Sequence, residues 1–122
     1  MIDHMSIRVS NYAASKDFYE AAFAPLRFRK LMEGVSGAGF GIAGIPMFWI
    51  NQGTPTPGVH VAFQSADRAG VDAFYAAAMA AGGRDNGAPG VRLKYHPNYY
   101  GAFVLDPDGY NIEAVCHGPV GG

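Results

Sequence analysis

The chain of 122 residues is poor in cysteine, in tryptophan and in charge. A single cysteine, Cys116, excludes an intrachain disulfide, which fits a reducing cytoplasm. Charged residues are 16% of the chain and the net charge is −1, so the composition carries no nucleic-acid footprint. Among the basic residues only Arg27, Arg29 and Lys30 cluster. No apolar run reaches the length of a membrane span, and no charged-then-apolar leader opens the chain. What is present is 49% apolar residues, enough for one domain with a real core and little disorder. The expectation is a small soluble cytoplasmic protein with no nucleic-acid or membrane partner.

The chain repeats itself. HMSIRVSNYAASKDFYEAAF from His4 matches HVAFQSADRAGVDAFYAAAM from His60, and in both a Phe-Tyr pair begins fourteen residues after the histidine. Each copy starts with alternation, the mark of a half-buried strand. Met5, Ile7 and Val9 share one face, and His4, Ser6 and Arg8 the other; Val59, Val61 and Phe63 oppose His60, Ala62 and Gln64. The two histidines are therefore in phase on the more polar faces.

Helical periodicity follows each strand. Val71, Phe74, Tyr75, Ala78 and Met79 form one stripe, with Ser65 or Asp67 as cap and Gly82-Gly83 as stop. The first helix is predicted over 12–24, capped by Asn11 and ended by Pro25. Three short runs follow each helix: 28–32, 37–42 and 46–51, then 92–95, 103–105 and 111–116. The plan is α+β, two βαβββ modules whose strands form a cupped mixed β-sheet with helices on the outer face. Module one covers 1–51, a connector 52–58, module two 59–117 and a tail 118–122.

The last hairpin poses the chemical question. In FVLDPDGYNIEAV, residues 103–115, the turn DPDG joins two apolar strands, yet Glu113 sits among apolar neighbours. A buried carboxylate needs a partner. If its strand lies beside that of His60, Glu113 stands next to that imidazole, and His4 arrives from the equivalent strand of the other copy, in the same subunit or in a partner. Two imidazoles and a carboxylate on rigid strands can make a facial triad with open positions on a divalent ion. The bland alternative is a solvated glutamate and two unrelated histidines.

His4, the repeat at His60 and the closing DPDGYNIE resemble the vicinal oxygen chelate superfamily, over essentially the whole chain. That group holds glyoxalase I, extradiol dioxygenases, fosfomycin-resistance transferases and bleomycin-resistance proteins. The resemblance implies paired βαβββ modules, a homodimer, and one divalent ion (Fe, Mn, Zn or Ni) held by His4, His60 and Glu113. It implies a metal-dependent enzyme, with the ion as Lewis acid on a small substrate with vicinal oxygens, a glutathione adduct among the candidates. Lyase, isomerase, transferase and ring-cleaving oxygenase chemistry all remain open. The rival is a metal-free, bleomycin-resistance-like binding protein with an aromatic groove of Phe48, Trp49, Tyr99 and Tyr100.

One departure matters. Glyoxalase I has a fourth ligand, a carboxylate, on the last strand of module one. Here that strand is GIPMFWIN, and setting Gly44 against Gly109 puts Phe48 opposite Glu113 with Trp49 beside it. Neither binds metal or abstracts a proton, which speaks against strict lactoylglutathione lyase activity. KYHPNYYGAF, residues 94–103, reads as a cleft rim, with His96 and Tyr100 as acid–base candidates. Tyr99, Phe48 and Trp49 are candidate substrate walls, and Arg92 and Lys94 candidate anion holders. His117 reads as solvated and Cys116 as core.

Overall fold

Asn11 and Asp67 set the starts of the two helices. Each has extended backbone and a side chain that accepts a backbone N–H in the first turn, from Ala14 and Gly70 respectively. The computed structural model describes residues 1–119; 120–122, part of the expected tail, lie outside the described residues. The elements run β1 (Met5–Val9), α1 (Tyr12–Phe23), β2 (Arg29–Glu33), β3 (Gly37–Ile42), β4 (Ile45–Gln52), β5 (His60–Gln64), α2 (Arg68–Ala80), β6 (Arg84–Val91), β7 (Tyr100–Leu105) and β8 (Asn111–Cys116). Pro25 ends α1 in a short 3-10 turn over Ala24–Leu26, and Arg27 leaves it with left-handed backbone.

Each module is a four-stranded mixed sheet, in the orders β1-β4-β3-β2 and β5-β8-β7-β6. In both, the first strand runs parallel to the last, and the rest pair antiparallel. That topology sets His60 and Glu113 on adjacent strands, as the phase of each strand implied. The α+β class and the two βαβββ modules are therefore as the sequence predicts.

One strand is not where the sequence put it. β6 is Arg84–Val91, whereas Arg92–Tyr95 belongs to the connection to β7. The segment RDNGAPGV has no alternation and is rich in Gly and Pro, so periodicity could not find it. It is an edge strand, where Pro and bulges are tolerated, and its pairing with β7 shifts register on both sides of Gly87.

The core is aromatic and lies on the helix-covered faces. Phe18, Tyr19, Ala22 and Phe23 form the buried stripe of α1. Phe23 packs its ring 5.6 Å from Phe40, 5.8 Å from Phe48 and 4.5 Å from Phe63, centroid to centroid, so one side chain ties module one to β5. The Tyr19 hydroxyl donates to Asp106, which is 1% exposed in the turn between β7 and β8. Asp106 also accepts backbone N–H groups from Asp108 and Tyr110, each at 2.9 Å, so the DPDG turn is ordered around one buried carboxylate. Burial pushes the Tyr19 phenol well above its ordinary range, with Asp106 adding to the rise. Burial likewise raises Asp106, against the lowering effect of these hydrogen bonds.

The opposite faces remain open at the first strands. His4, Ser6 and Arg8 on one sheet are exposed, as are His60, Ala62 and Gln64 on the other. α1 and α2 meet each other on the apolar side, α2 covering β6, β7 and β8.

Candidate functional site

Glu113 is 1% exposed, and the cost of burying its charge frames everything around it. On β8 it is the register partner of Ala62 on β5 and of Phe103 on β7. The rise along β5 then brings His60 to it: Nε2 lies 2.8 Å from Glu113 Oε1. The other oxygen, Oε2, accepts the Tyr99 hydroxyl. Burial, then the carboxylate, raises the Tyr99 phenol far above its ordinary value, so Tyr99 is the donor of that pair. Among the described residues His60 is the only ion-pair partner of Glu113.

An imidazole nitrogen and a carboxylate oxygen 2.8 Å apart, on adjacent rigid strands, are ligand types of the kind a divalent ion uses. The residues present therefore fit two of the three expected ligands. The third does not join them within the chain. His4 is exposed and its Nδ1 lies 2.8 Å from Asp3. Among the described residues no group of three or more His, Cys, Asp or Glu side chains is placed to hold a metal. Of the two arrangements the sequence left open, His4 from the same chain or from a partner, the single chain does not make the first: β1 and β5 belong to separate sheets with no shared strand.

The comparison of modules also needs correcting by one residue. Ser6 pairs with Trp49 as Ala62 pairs with Glu113, and Gly39 faces Trp49 as Phe103 faces Glu113. Trp49, not Phe48, is the counterpart of Glu113. The slip comes from a bulge at Phe40/Gly41, which the β7–β8 hairpin lacks. A Cβ on Gly41 would lie 1.8 Å from the Ile45 carbonyl oxygen, so the bulge requires glycine there. Phe48 is 2% exposed and packs with Tyr19, Phe23 and Phe63 in the core. Trp49 lies against Gly39, where an added Cβ would meet its ring at 2.8 Å.

The remaining candidates divide by face. A cavity of about 360 Å³ is lined by Asn86, Arg92, Lys94, Tyr95, Phe103 and Asn111. It adjoins the His60–Glu113 pair: Asn111 is the register partner of His60, and the Phe103 ring is 6.0 Å from the imidazole. The Arg92 guanidinium sits over Phe103 and donates to the Ala88 carbonyl at 2.6 Å. Among the described residues Asn111 Oδ1 is buried with no hydrogen-bond donor. A larger apolar cavity of about 1120 Å³ lies between the modules, with Met5, Phe28, Met47, Val61 and Phe63 in its walls. It holds no titratable group of the His60–Glu113 site.

His96 is half-buried, and its Nε2 lies 2.7 Å from His117 Nδ1. Its Nδ1 accepts the Asn98 N–H at 3.1 Å, so the proton of neutral His96 resides on Nε2 and is donated to His117. Tyr100 is on the other side of the sheet: its hydroxyl donates to Asp72 on α2 at 2.6 Å, and its ring lies under Arg68. The bond to Asp72 is the main cause of its raised phenol pKa. The four rings Phe48, Trp49, Tyr99 and Tyr100 accordingly do not line one groove. Sequence reasoning left out His117 as partner of His96, and Asn86, Phe103 and Asn111 as cavity walls. Asn111 was legible, since it alternates with Glu113; the others depend on how the connection between β6 and β7 folds back.

The sequence model of the glyoxalase/bleomycin resistance protein/dioxygenase superfamily matches residues 1–114. The chain belongs to this superfamily. Its fold is similar to that of a glyoxalase/bleomycin resistance protein from Albidiferax ferrireducens, with 27% identity, a TM-score of 0.80, and coverage of 97% of this chain and 99% of that one. It is also similar to fosfomycin resistance protein FosX from Mesorhizobium loti (19% identity, TM-score 0.72, 99% and 95% covered). Lactoylglutathione lyase from Agrobacterium tumefaciens shares the fold as well (16% identity, TM-score 0.69, 95% and 92% covered). No curated protein matches the chain. No helix among the described residues is long and apolar enough to cross a membrane.

Proposed function

We propose that this superfamily member is a metal-dependent enzyme acting on a small substrate with adjacent oxygen atoms. The observation that carries the reading is Glu113, buried to 1% exposure yet paired with the Nε2 of His60 at 2.8 Å. A carboxylate sunk in a sheet without a Lys or Arg partner costs stability unless a cation offsets it. His60 and Glu113 would hold a divalent ion, with Fe, Mn, Zn and Ni as candidates. His4 would complete the set from a second copy of the chain, the exposed faces of β1 and β5 meeting across a homodimer.

When bound, the ion supplies Lewis-acid stabilisation of charge developing on a substrate oxygen. The rest is the work of the chain. Arg92 and Lys94 give the adjoining cavity positive charge and would orient an anionic or oxygen-rich substrate end. Asn111 Oδ1, a buried acceptor without a donor among the described residues, offers a bond to a substrate hydroxyl or amide. Phe103 and Tyr95 supply apolar wall on either side of those polar groups. His96 is the acid–base candidate, because it carries its proton on the nitrogen facing His117 and lies beside the Tyr99 ring. With Trp49 at the position of Glu113 in module one, a second carboxylate base is absent from that place, so this reading favours oxygenation or group transfer over lactoylglutathione isomerisation. We further propose a cytoplasmic enzyme, consistent with the single buried cysteine.

The test is elemental analysis of protein purified without chelator, beside a His60→Ala variant. Stoichiometric metal in the parent and its loss in the variant support the reading. A parent chain that stays metal-free after incubation with each of the four ions would sink it.

A further inference from the structure

We infer that Tyr99 is a positioning residue that fixes Glu113 as a one-oxygen ligand, so that only Oε1 is presented beside His60. The inference rests on the metal-dependent reading above and adds a role to a residue that sequence reasoning had assigned to substrate.

The two carboxylate oxygens have separate partners. Oε1 faces His60 Nε2 at 2.8 Å, and Oε2 accepts the Tyr99 hydroxyl. A phenol has one hydrogen to give, and here it is spent on the carboxylate rather than on the cavity. With one lone pair of Oε2 taken by the phenol, Oε1 is the oxygen turned to His60, and rotating the carboxylate to offer both oxygens equally to a cation would bend that hydrogen bond from its geometry. Groups of this kind orient a ligand without touching the ion.

Tyr99 is itself held from several sides. Its amide donates to the His96 carbonyl at 3.2 Å, and its carbonyl accepts the Arg92 amide at 2.8 Å, which closes the connection between β6 and β7. Around the ring stand Tyr95, His96 and His117, with centroids at 4.7, 5.5 and 5.3 Å; the last two make edge contacts. Rotation of the phenol away from Glu113 would displace those rings. The paired imidazoles thereby act on Glu113 through Tyr99 packing, not through a hydrogen bond of their own.

Gly101 supplies the matching gap. A Cβ there would come within 3.2 Å of Tyr99 Cε1 and 3.3 Å of Glu113 Oε2. Both contacts are tighter than ordinary van der Waals spacing, and both fall on the two members of this one hydrogen bond. Glycine at 101 leaves the phenol free to reach the carboxylate, on a strand where glycine has no packing advantage.

The experiment measures Co²⁺ affinity by competition with a chromophoric chelator, and the visible spectrum of the Co²⁺ form. The proteins are the parent chain, Tyr99→Phe, Gly101→Ala and His60→Ala, each checked for native circular dichroism. Tyr99→Phe is expected to weaken Co²⁺ binding about 10–100-fold and to change the visible bands, because the freed oxygen can enter the coordination sphere. Gly101→Ala, which crowds the same bond from the backbone, should move both readouts in the same direction by less, and serves if Tyr99→Phe does not fold. If the parent binds Co²⁺, His60→Ala does not, and the folded Tyr99 and Gly101 variants match the parent in affinity and spectrum, the inference is overturned while the metal reading stands. A parent chain that does not bind Co²⁺ removes both.

Discussion

Two residues at equivalent places in the two modules have opposite characters: Trp49 in module one and Glu113 in module two. Each faces away from the helices, and each pairs with the residue two beyond its module's leading histidine. One is an indole resting on a glycine, the other a carboxylate enclosed by an imidazole and a phenol. The duplicated Phe-Tyr pairs diverge in the same way. Phe18 and Phe74 are both core, but Tyr19 is buried against Asp106 of the other module, whereas Tyr75 bonds Asp85 of its own near the surface. Duplication kept the scaffold. It then let one copy specialise in packing across the modules and the other in polar chemistry.

The largest expected effect breaks this contrast at the core. Phe23→Ala removes the ring that bridges to β5 and should cost about 3–5 kcal/mol of unfolding free energy. Its counterpart in the repeat, Met79, is only partly buried, so Met79→Ala should cost less than about 2 kcal/mol in the same urea titration. Equal losses would mean that the cross-module role of Phe23 is overstated.

Next comes the tyrosine pair. Tyr19→Phe leaves Asp106 buried without its phenol donor and should cost about 1–3 kcal/mol, while Tyr75→Phe should leave the unfolding midpoint unchanged. The pH dependence has a definite sign. Because the folded pKa of Tyr19 is raised above its ordinary value near 10, its contribution is complete below that pH and is lost as pH rises through the folded value. Alkaline unfolding followed by circular dichroism should therefore lose its Tyr19-linked part in Tyr19→Phe. Asp106 works in the acid direction: its raised carboxyl favours the fold as pH falls through its folded value, so its protonation alone does not drive acid unfolding.

The most local effect concerns the indole seat. Gly39→Ala pushes a methyl into the Trp49 ring and should cost about 1–3 kcal/mol at most, with a shift in emission. Since Trp49 is the chain's one tryptophan, that emission reports the open face of module one alone. An unchanged spectrum would show that the ring is not seated on Gly39.

Much of this was legible from local pattern. Strand alternation gave the faces of β1, β5 and β8, Asn11 and Asp67 marked the helix starts, and DPDG marked the last hairpin. Strand β6 was not legible, because an edge strand of Gly, Pro and Asn obeys no period. The pairing of Trp49 with Glu113 was missed for a related reason: a bulge adds a residue without leaving a mark in the hydrophobic pattern. Tyr99 and Tyr100 are neighbours in sequence and go to opposite faces, one to Glu113 and one to Asp72. Nothing in a run of aromatic loop residues states where the strand begins, and that boundary decides which ring faces which way.

By itself the sequence determined the duplicated βαβββ plan, the faces of the first and last strands, and the place of Glu113 beside His60. Those follow from periods of two and 3.6, which are local properties of the backbone. Only the tertiary structure decided that Tyr99 takes one oxygen of that carboxylate, that Phe48 belongs to the core, and that His4 remains apart from His60 within one chain. Such outcomes depend on how loops return and how separate sheets are set, and chain contacts distant in sequence govern both.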